Sequence, residues 1–372
     1  MMKKKVLVVD DSAFMRKLIS DFLSISEQME VVGTARNGED AITKIKKLSP
    51  DVITLDVEMP KMNGIEALKK IMKECPVPVV MLSSTTKAGA EETFKAIQLG
   101  AVDFIAKPSG TISLDLHEIQ GEIVQKVLSA SKVSITKLLN NRSLTTFHQD
   151  KTIIRNKMGT LMGKEEFTAK GSPAFPFHDQ KKAAIILIGT STGGPRALQQ
   201  VLTDLPSTLD APVLIVQHMP PGFTKSLADR LDSLSSIRVK EAEHGEHLQK
   251  GTAYIAPGGF HMKVIQSETK MKIELNKEEP PRNGHRPAVD VLFESAGIID
   301  GCNKIAVIMT GMGSDGTQGL KKLMGSGGVK TIAESHETCI VYGMPKSVIA
   351  ADLADEVVNV EEIAQSIMKY MV

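Results

Sequence analysis

Cysteine is scarce: the three in the chain, Cys75, Cys302 and Cys339, lie far apart with no C-x-x-C spacing. That excludes a disulfide framework and a cysteine zinc site, and it leaves buried thiols of a reducing compartment as the expectation. Neither sign of charge dominates. With 45 Lys and Arg against 44 Asp and Glu, the net charge is +1, so no global attraction to nucleic acid or to a membrane surface follows. Long hydrophobic runs are missing at the start, where Val6-Leu7-Val8-Val9 stops at Asp10-Asp11. The run is too short for a signal-peptide core or a membrane span, so export and membrane insertion are not expected. His244, His247, His261, His285 and His336 show no H-E-x-x-H or paired ligand spacing, which argues against zinc. No helix-turn-helix signal follows the first block of the chain. What is present is 42% hydrophobic content over 372 residues, sufficient for two domains with substantial cores.

The first block, residues 1–128, alternates strand and helix candidates: strands at 6–9, 31–32, 52–55, 79–82 and 102–105, and helices at 13–23, 38–48, 65–72, 88–99 and within 114–128. Short apolar strands separated by helices call for a parallel sheet covered on both faces, and ligands of such sheets collect beyond the carboxyl ends of the strands. Asp10 and Asp11 follow the first strand, Asp56 the third, Ser83 the fourth and Lys107 the fifth. Three carboxylates converging on one rim repel one another unless a hard cation neutralises them. Magnesium held by Asp10 or Asp11 with Asp56 fits, with Lys107 as a point charge opposite. Asp56, the central carboxylate, is then the candidate nucleophile toward a phosphoryl donor. Solvation at a strand end accounts for any one aspartate, but not for DD, D, S and KP at successive strand ends.

This block resembles the receiver domain of two-component response regulators in Val8-Val9-Asp10-Asp11-Ser12, in Leu55-Asp56-Val57-Glu58-Met59-Pro60-Lys61-Met62-Asn63-Gly64, in Met81-Leu82-Ser83-Ser84 and in Asp103-Phe104-Ile105-Ala106-Lys107-Pro108. The resemblance implies a flavodoxin-like (βα)5 fold. Asp56 would be the phosphoacceptor, Asp10 and Asp11 metal ligands alongside it, and Lys107 the phosphate partner. Ser83 would be the hydroxyl that moves onto the phosphoryl group, with Phe104 the aromatic that switches with it. The Lys107–Pro108 bond is usually cis in that family.

Residues 129–182 read as a linker. From 130 to 182 ten Lys or Arg stand against four Asp or Glu, and Gly159, Gly163, Gly171, Pro173 and Pro176 oppose a long helix in its second half. Scattered rather than clustered basic residues suit a solvated tether better than a nucleic-acid contact. Phe167, Phe175 and Phe177 are candidate anchors on a domain surface.

Alternation resumes over 183–372, with strands expected at 185–188, 213–216, 253–255, 305–309 and 329–332, helices at 198–202, 225–231, 288–296 and 319–324, and a hairpin from 261–265 with 271–275. A doubly wound, mostly parallel α/β layer is the simplest layout. The glycine-rich turn Gly189-Thr190-Ser191-Thr192-Gly193-Gly194-Pro195 sits between its first strand and first helix. It matches neither G-x-G-x-x-G nor a P-loop. Its open backbone N–H groups suit a bound anion or the oxyanion of an acyl transfer, and a serine alone there is ordinarily a helix cap. Two further strand ends weigh against the cap. His218, in Gln217-His218-Met219-Pro220, and Asp315, in Thr310-Gly311-Met312-Gly313-Ser314-Asp315-Gly316, fall on the same rim. Ser191, His218 and Asp315 supply a weak nucleophile, a base near neutral pH and an anion to orient the base. Their chain order differs from those of the α/β-hydrolases, chymotrypsin and subtilisin.

Together with Tyr254-Ile255-Ala256-Pro257-Gly258, these stretches resemble the catalytic domain of chemotaxis response-regulator protein-glutamate methylesterases, which also deamidate particular receptor glutamines. The resemblance implies Ser191 as nucleophile, His218 as general base, Asp315 as its orienting carboxylate, and Thr192 with the Met312 backbone N–H as oxyanion or active-site donors. No cofactor is implied for the esterase; magnesium serves receiver phosphorylation only. Methyl-accepting chemotaxis receptors are the implied substrates and a chemotaxis histidine kinase the phosphodonor, in the cytoplasm and recruited to receptor arrays. The run His285-Arg286-Pro287-Ala288-Val289-Asp290 opens a helix, where His285 faces the substrate groove or caps the surface. Two rival readings are a regulator acting by binding, whose serine turn grips phosphate, and an esterase of small molecules. Methanol release from methylated receptor membranes, compared with cleavage of a generic aryl ester, separates them.

Overall fold

Five buried strands separated by amphipathic helices leave only one economical arrangement, a parallel sheet with helices on both faces, and the N-terminal block adopts it. The computed structural model describes residues 2–84, 86–107, 116–138, 183–267 and 270–371. Its first unit runs β1 (Lys4–Val9), α1 (Ala13–Ser24), β2 (Met29–Ala35), α2 (Gly38–Leu48), β3 (Val52–Asp56), α3 (Gly64–Glu74), β4 (Val79–Ser83), α4 (Lys87–Leu99), β5 (Asp103–Ala106) and α5 (Leu116–Ala130). The sheet order is β2-β1-β3-β4-β5, all pairs parallel. Helix starts are chemically marked: Ser12, Asn37, Asn63 and Thr86 each accept a backbone N–H in the first turn of α1 to α4, which satisfies donors that a helix leaves open.

The second unit runs β6 (Ala183–Thr190), α6 (Gly194–Asp204), β7 (Val213–Gln217), α7 (Phe223–Asp232), β8 (Arg238–Glu241), β9 (Thr252–Ile255), the hairpin β10 (His261–Ser267) and β11 (Lys270–Asn276), α8 (Val289–Ala296), β12 (Cys302–Ile308), α9 (Thr317–Met324), β13 (Val329–Glu334), α10 (Met344–Ala350), β14 (Glu356–Val358) and α11 (Ile363–Tyr370). Seven parallel strands stand in the order β14-β13-β12-β6-β7-β9-β8. β6, in the middle, carries Ile185, Ile186, Leu187 and Ile188 with no exposed surface, each worth about 1.5–3 kcal/mol of burial. The central strands and the hairpin fall where the hydrophobic pattern puts them. The edge strands β8 and β14 and the helices α10 and α11 are additions to it.

Residues beyond α5 pack as well. Leu138 is fully buried and shares an apolar cluster with Val133 and Ile340, while Lys137 Nζ donates to the His336 carbonyl. Residues 139–182, including Phe167, Phe175 and Phe177, and Pro108 after β5 lie outside the described residues.

Candidate functional site

In the first sheet the predicted rim residues converge. Lys107 Nζ lies 2.9 Å from Asp10 Oδ2 and 2.8 Å from Asp56 Oδ2. The carboxylates of Asp10, Asp11 and Asp56 bring ligand oxygens within 4.8 Å of one another, an all-oxygen donor set of the kind a hard divalent cation takes. Asp10 and Asp56 are buried and Asp11 is exposed, so the trio opens to solvent on one side. Burial pushes the Asp56 carboxyl up to about 6 despite its ion pair with Lys107, and Asp10 adds to the rise. Ser83 Oγ, fully buried, donates 2.9 Å to the Gly89 carbonyl in the first turn of α4.

In the second sheet the turn after β6 answers the question of the cap. The N-cap of α6 is Gly193, at φ 83°, with no side-chain cap bond, and a Cβ there would meet Ile340 at 2.7 Å. Ser191 is therefore not a capping residue. Its N–H donates to the Thr310 carbonyl, 3.0 Å, and its own carbonyl accepts from Gln217 Nε2, 3.1 Å. Gly311 crosses close beside it, since a Cβ on Gly311 would lie 2.9 Å from the Ser191 Cβ. The backbone N–H groups of Thr192 and Met312 have no backbone acceptor among the described residues.

His218 and Asp315 meet: Nε2 lies 2.8 Å from Asp315 Oδ2. Asp315 also accepts from the backbone around it, from Gly316 N in its own turn at 2.9 Å and from a neighbouring helix. Its Oδ2 also accepts from Val289 N, 2.7 Å, and its Oδ1 from Asp290 N, 3.0 Å, so it serves the first N–H groups of α8. Asp290 returns the service to α9, its Oδ1 accepting from Gly316 N at 3.0 Å and Gly319 N at 2.6 Å. Burial works upward on the Asp315 carboxyl, but the His218 contact and charge and these two backbone donors outweigh it and pull it down to about 2. An anion only accepts, so Nε2 carries a proton, and in the neutral ring the lone pair is on Nδ1. Nδ1 is buried and has no hydrogen-bond partner, and the Ser191 hydroxyl forms no hydrogen bond with it. The three side chains thus share one rim, with the base atom uncommitted.

Three contributors escaped the sequence reading. Asp290 is one. Glu334, at the end of β13 and 1% exposed, accepts from Thr310 N at 2.7 Å and from Thr338 Oγ1 at 3.0 Å, and so steadies the residue whose carbonyl holds Ser191. Gln217 ties Ser191 O to His218 O through one amide, at 3.1 and 3.2 Å. A polar residue closing an apolar strand at the active rim was the available signal for Gln217 and Glu334. His285 lies on the site and not at a helix start: its ring stacks on that of His218, centroids 3.9 Å apart, whereas α8 is capped at Ala288.

The receiver-like unit meets this rim. Thr192 Oγ1 donates to Asp103 Oδ2, 2.5 Å, at the start of β5. Phe104 stacks on Phe223, centroids 4.6 Å apart. Arg196 Nε donates to the Ile97 carbonyl at the end of α4, 2.6 Å, and Ser129 Oγ in α5 donates to the Met312 sulfur. These contacts from α4, β5 and α5 fall on Thr192, on Met312 and on the first turns of α6 and α7.

Among the described residues no helix is long and apolar enough to cross a membrane. The family model for the response regulator receiver domain matches residues 6–117, and that for the CheB methylesterase matches residues 186–367. A protein-glutamate methylesterase/protein-glutamine glutaminase of Geobacillus kaustophilus is 56% identical, over 98% of this chain and 98% of its own. One of the same description from Oceanobacillus iheyensis is 52% identical over the full length of both. The crystal structure of the Thermotoga maritima CheB methylesterase catalytic domain is 48% identical, covering 50% of this chain and 98% of its own, at a TM-score of 0.49. Two domain families in the expected order and full-length identity above one half make the chain an enzyme of the protein-glutamate methylesterase/protein-glutamine glutaminase family, a response regulator in which a receiver domain precedes a methylesterase domain.

Proposed function

We propose that this chain removes methyl groups from glutamate methyl esters of methyl-accepting chemotaxis receptors, and amide groups from particular receptor glutamines, by a Ser191–His218–Asp315 mechanism. The observation that carries the proposal is the 2.8 Å pair of His218 with a buried, strongly acidic Asp315, which leaves Nδ1 without a partner on a residue whose backbone N–H bonds the Thr190 carbonyl in the Ser191 turn. Ser191 Oγ attacks the γ-carbonyl carbon as Nδ1 takes its proton, and the tetrahedral oxyanion falls to the open N–H groups of Thr192 and Met312. Collapse expels methoxide, which leaves as methanol with the proton from Nδ1; for glutamine the leaving group is ammonia. Water, losing a proton to Nδ1, then attacks the acyl-serine; Nδ1 returns that proton to Ser191 Oγ as the ester bond breaks, and the glutamate carboxylate is released. Asp315 stays ionised throughout and compensates the imidazolium.

The division proposed is a receiver over 1–128, a linker over 129–182 and a catalytic domain over 183–372. Asp56 is the phosphoacceptor, served by a chemotaxis histidine kinase. Asp10, Asp11 and Asp56 would hold magnesium, which when bound neutralises charge on the phosphoryl oxygens. In the resting arrangement the α4–β5–α5 face covers Thr192 and Met312 and excludes a receptor helix from Ser191. A phosphoryl group on Asp56 draws Lys107 and the Ser83 hydroxyl to itself, which takes Ser83 from the Gly89 carbonyl and frees Phe104 to leave Phe223. Such an enzyme works in the cytoplasm at receptor arrays. Methanol release from methylated receptor membranes, against a generic aryl ester and with Ser191→Ala as control, tests the reading; undiminished release by Ser191→Ala would refute it.

A further inference from the structure

One titratable side chain outside the triad touches it face to face. His285 precedes α8 and lays its imidazole over that of His218, with ring centroids 3.9 Å apart and planes within 8° of parallel. Its backbone is held on both sides. The N–H of Arg282 donates to the His285 carbonyl and the N–H of His285 to the Arg282 carbonyl, both 3.0 Å. Four residues on, α8 is fastened by Val289 N and Asp290 N to the Asp315 carboxylate that pairs with His218. The ring itself makes no hydrogen bond among the described residues, so its contact with the site is through its face.

That face supplies what the rest of the site lacks. The Nε2 contact to Asp315 pins one atom of the His218 ring but leaves the plane free to pivot about it, and Nδ1 has no partner to stop the swing. Aromatic faces at this spacing are already in van der Waals contact, so a pivot would drive a ring edge into the neighbour. We infer that His285 is a positioning residue for acyl transfer: by stacking on His218 it fixes the imidazole plane and keeps Nδ1 aimed at the Ser191 hydroxyl. The inference rests on the triad assignment. It also requires His285 not to oppose the imidazolium formed when Nδ1 takes the serine proton. Burial, and then the His218 charge, push His285 down to about 4, with Asp315 on the catalytic side and Lys126 and Glu122 of α5 on the receiver side as the other charges around it. Near neutral pH it presents an uncharged ring.

The test uses the full chain, resting and after treatment with a small phosphodonor and magnesium, with kcat and KM read from methanol release on methylated receptor membranes. His285→Ala is expected to lower kcat about tenfold, equivalent to about 1.4 kcal/mol, and to leave KM within about twofold. His285→Phe restores a flat face without a titrating nitrogen and should recover kcat to within about threefold of wild type. A kcat for His285→Ala within about twofold of wild type overturns the inference. So does a change in KM alone, which would make His285 a substrate contact. A His285→Phe protein that folds, by its thermal unfolding, yet is as slow as expected for alanine overturns it also, because a ring nitrogen would then be needed; this variant decides alone if alanine fails to fold. Ser191→Ala separates the two levels. If it is inactive while His285→Ala is fully active, only the positioning role fails; if it is active, the triad assignment fails and the inference with it.

Discussion

Glu334→Gln should make the enzyme's stability less dependent on pH, by an amount the structure allows to be worked out. Glu334 is 1% exposed, accepts from Thr310 N and Thr338 Oγ1, and has its carboxyl pushed up by burial from 4.5 to about 7, against the lowering effect of those two donors. A carboxyl raised in the native state favours folding in its protonated form. Its contribution is complete below about pH 4.5 and is lost as the pH rises through about 7. Two and a half pH units at about 1.4 kcal/mol each give a loss of about 3 kcal/mol across that window. Glutamine reproduces the protonated group: its carbonyl accepts from Thr310 N and its amide donates to Thr338 Oγ1, a hydroxyl with a lone pair to spare although it also accepts from Val360 N. Cys339 is no rival source of the effect, because burial first and Glu334 second raise its thiol far above this range. Urea unfolding of wild type and variant from about pH 4.5 to about pH 8 is the assay. The variant should gain about 3 kcal/mol on the wild type over the series. Parallel pH profiles for the two proteins would show that the Glu334 carboxyl titrates in the native state where it does in the unfolded chain, and the burial argument would be wrong.

Asp315→Asn should lower turnover about 10²–10⁴-fold with little change in receptor binding, since it removes the anion that sets the His218 tautomer; activity within about twofold of wild type would leave Asp315 as a helix cap. A fragment from residue 183 should exceed the resting full chain in activity, and a small phosphodonor with magnesium should raise the full chain but not Asp56→Ala. A fragment no faster than the resting enzyme would refute steric inhibition. Asp103→Ala removes the carboxylate that accepts from Thr192, a charge-assisted bond worth about 1.5–3 kcal/mol, and should raise resting activity about tenfold or more. Unchanged resting activity would mean that this contact does not hold the domains closed.

Both sheets were legible because their central strands are nearly pure apolar runs, Val52–Asp56 or Ala183–Thr190, ended by residues whose chemistry is out of place in a core. That is also why Asp56, Ser191 and His218 stand out in the chain alone as candidates. β8 could not be read, since Arg238–Glu241 buries one residue of four, and β14 is three residues long; charged, short strands are what sheet edges require, and they leave little pattern. The cross-capping of α8 and α9 by Asp315 and Asp290 was hidden for a different reason. Its donors and acceptors lie about 25 residues apart in the chain, and no local periodicity links them. The same holds for the stack of His285 on His218 and for the contact of Phe104 with Phe223.

The Phe104–Phe223 stack has a consequence for how strong the closed arrangement needs to be. Both rings belong to one chain, so their encounter is governed by an intramolecular effective concentration, not by the amount of enzyme in the cell. If the receiver inhibits the esterase as proposed, contacts too feeble to hold two separate proteins together would suffice to keep this pair shut. That feebleness is a requirement: one phosphoryl group shifts an equilibrium only by its differential interaction with the two states, a few kcal/mol at most, and a tightly sealed interface would be deaf to it. Because the aromatic expected to sense phosphorylation is itself part of the seal, no relay of intervening residues has to carry the message. The same economy predicts that the two halves, expressed as separate polypeptides, associate too weakly for inhibition in trans.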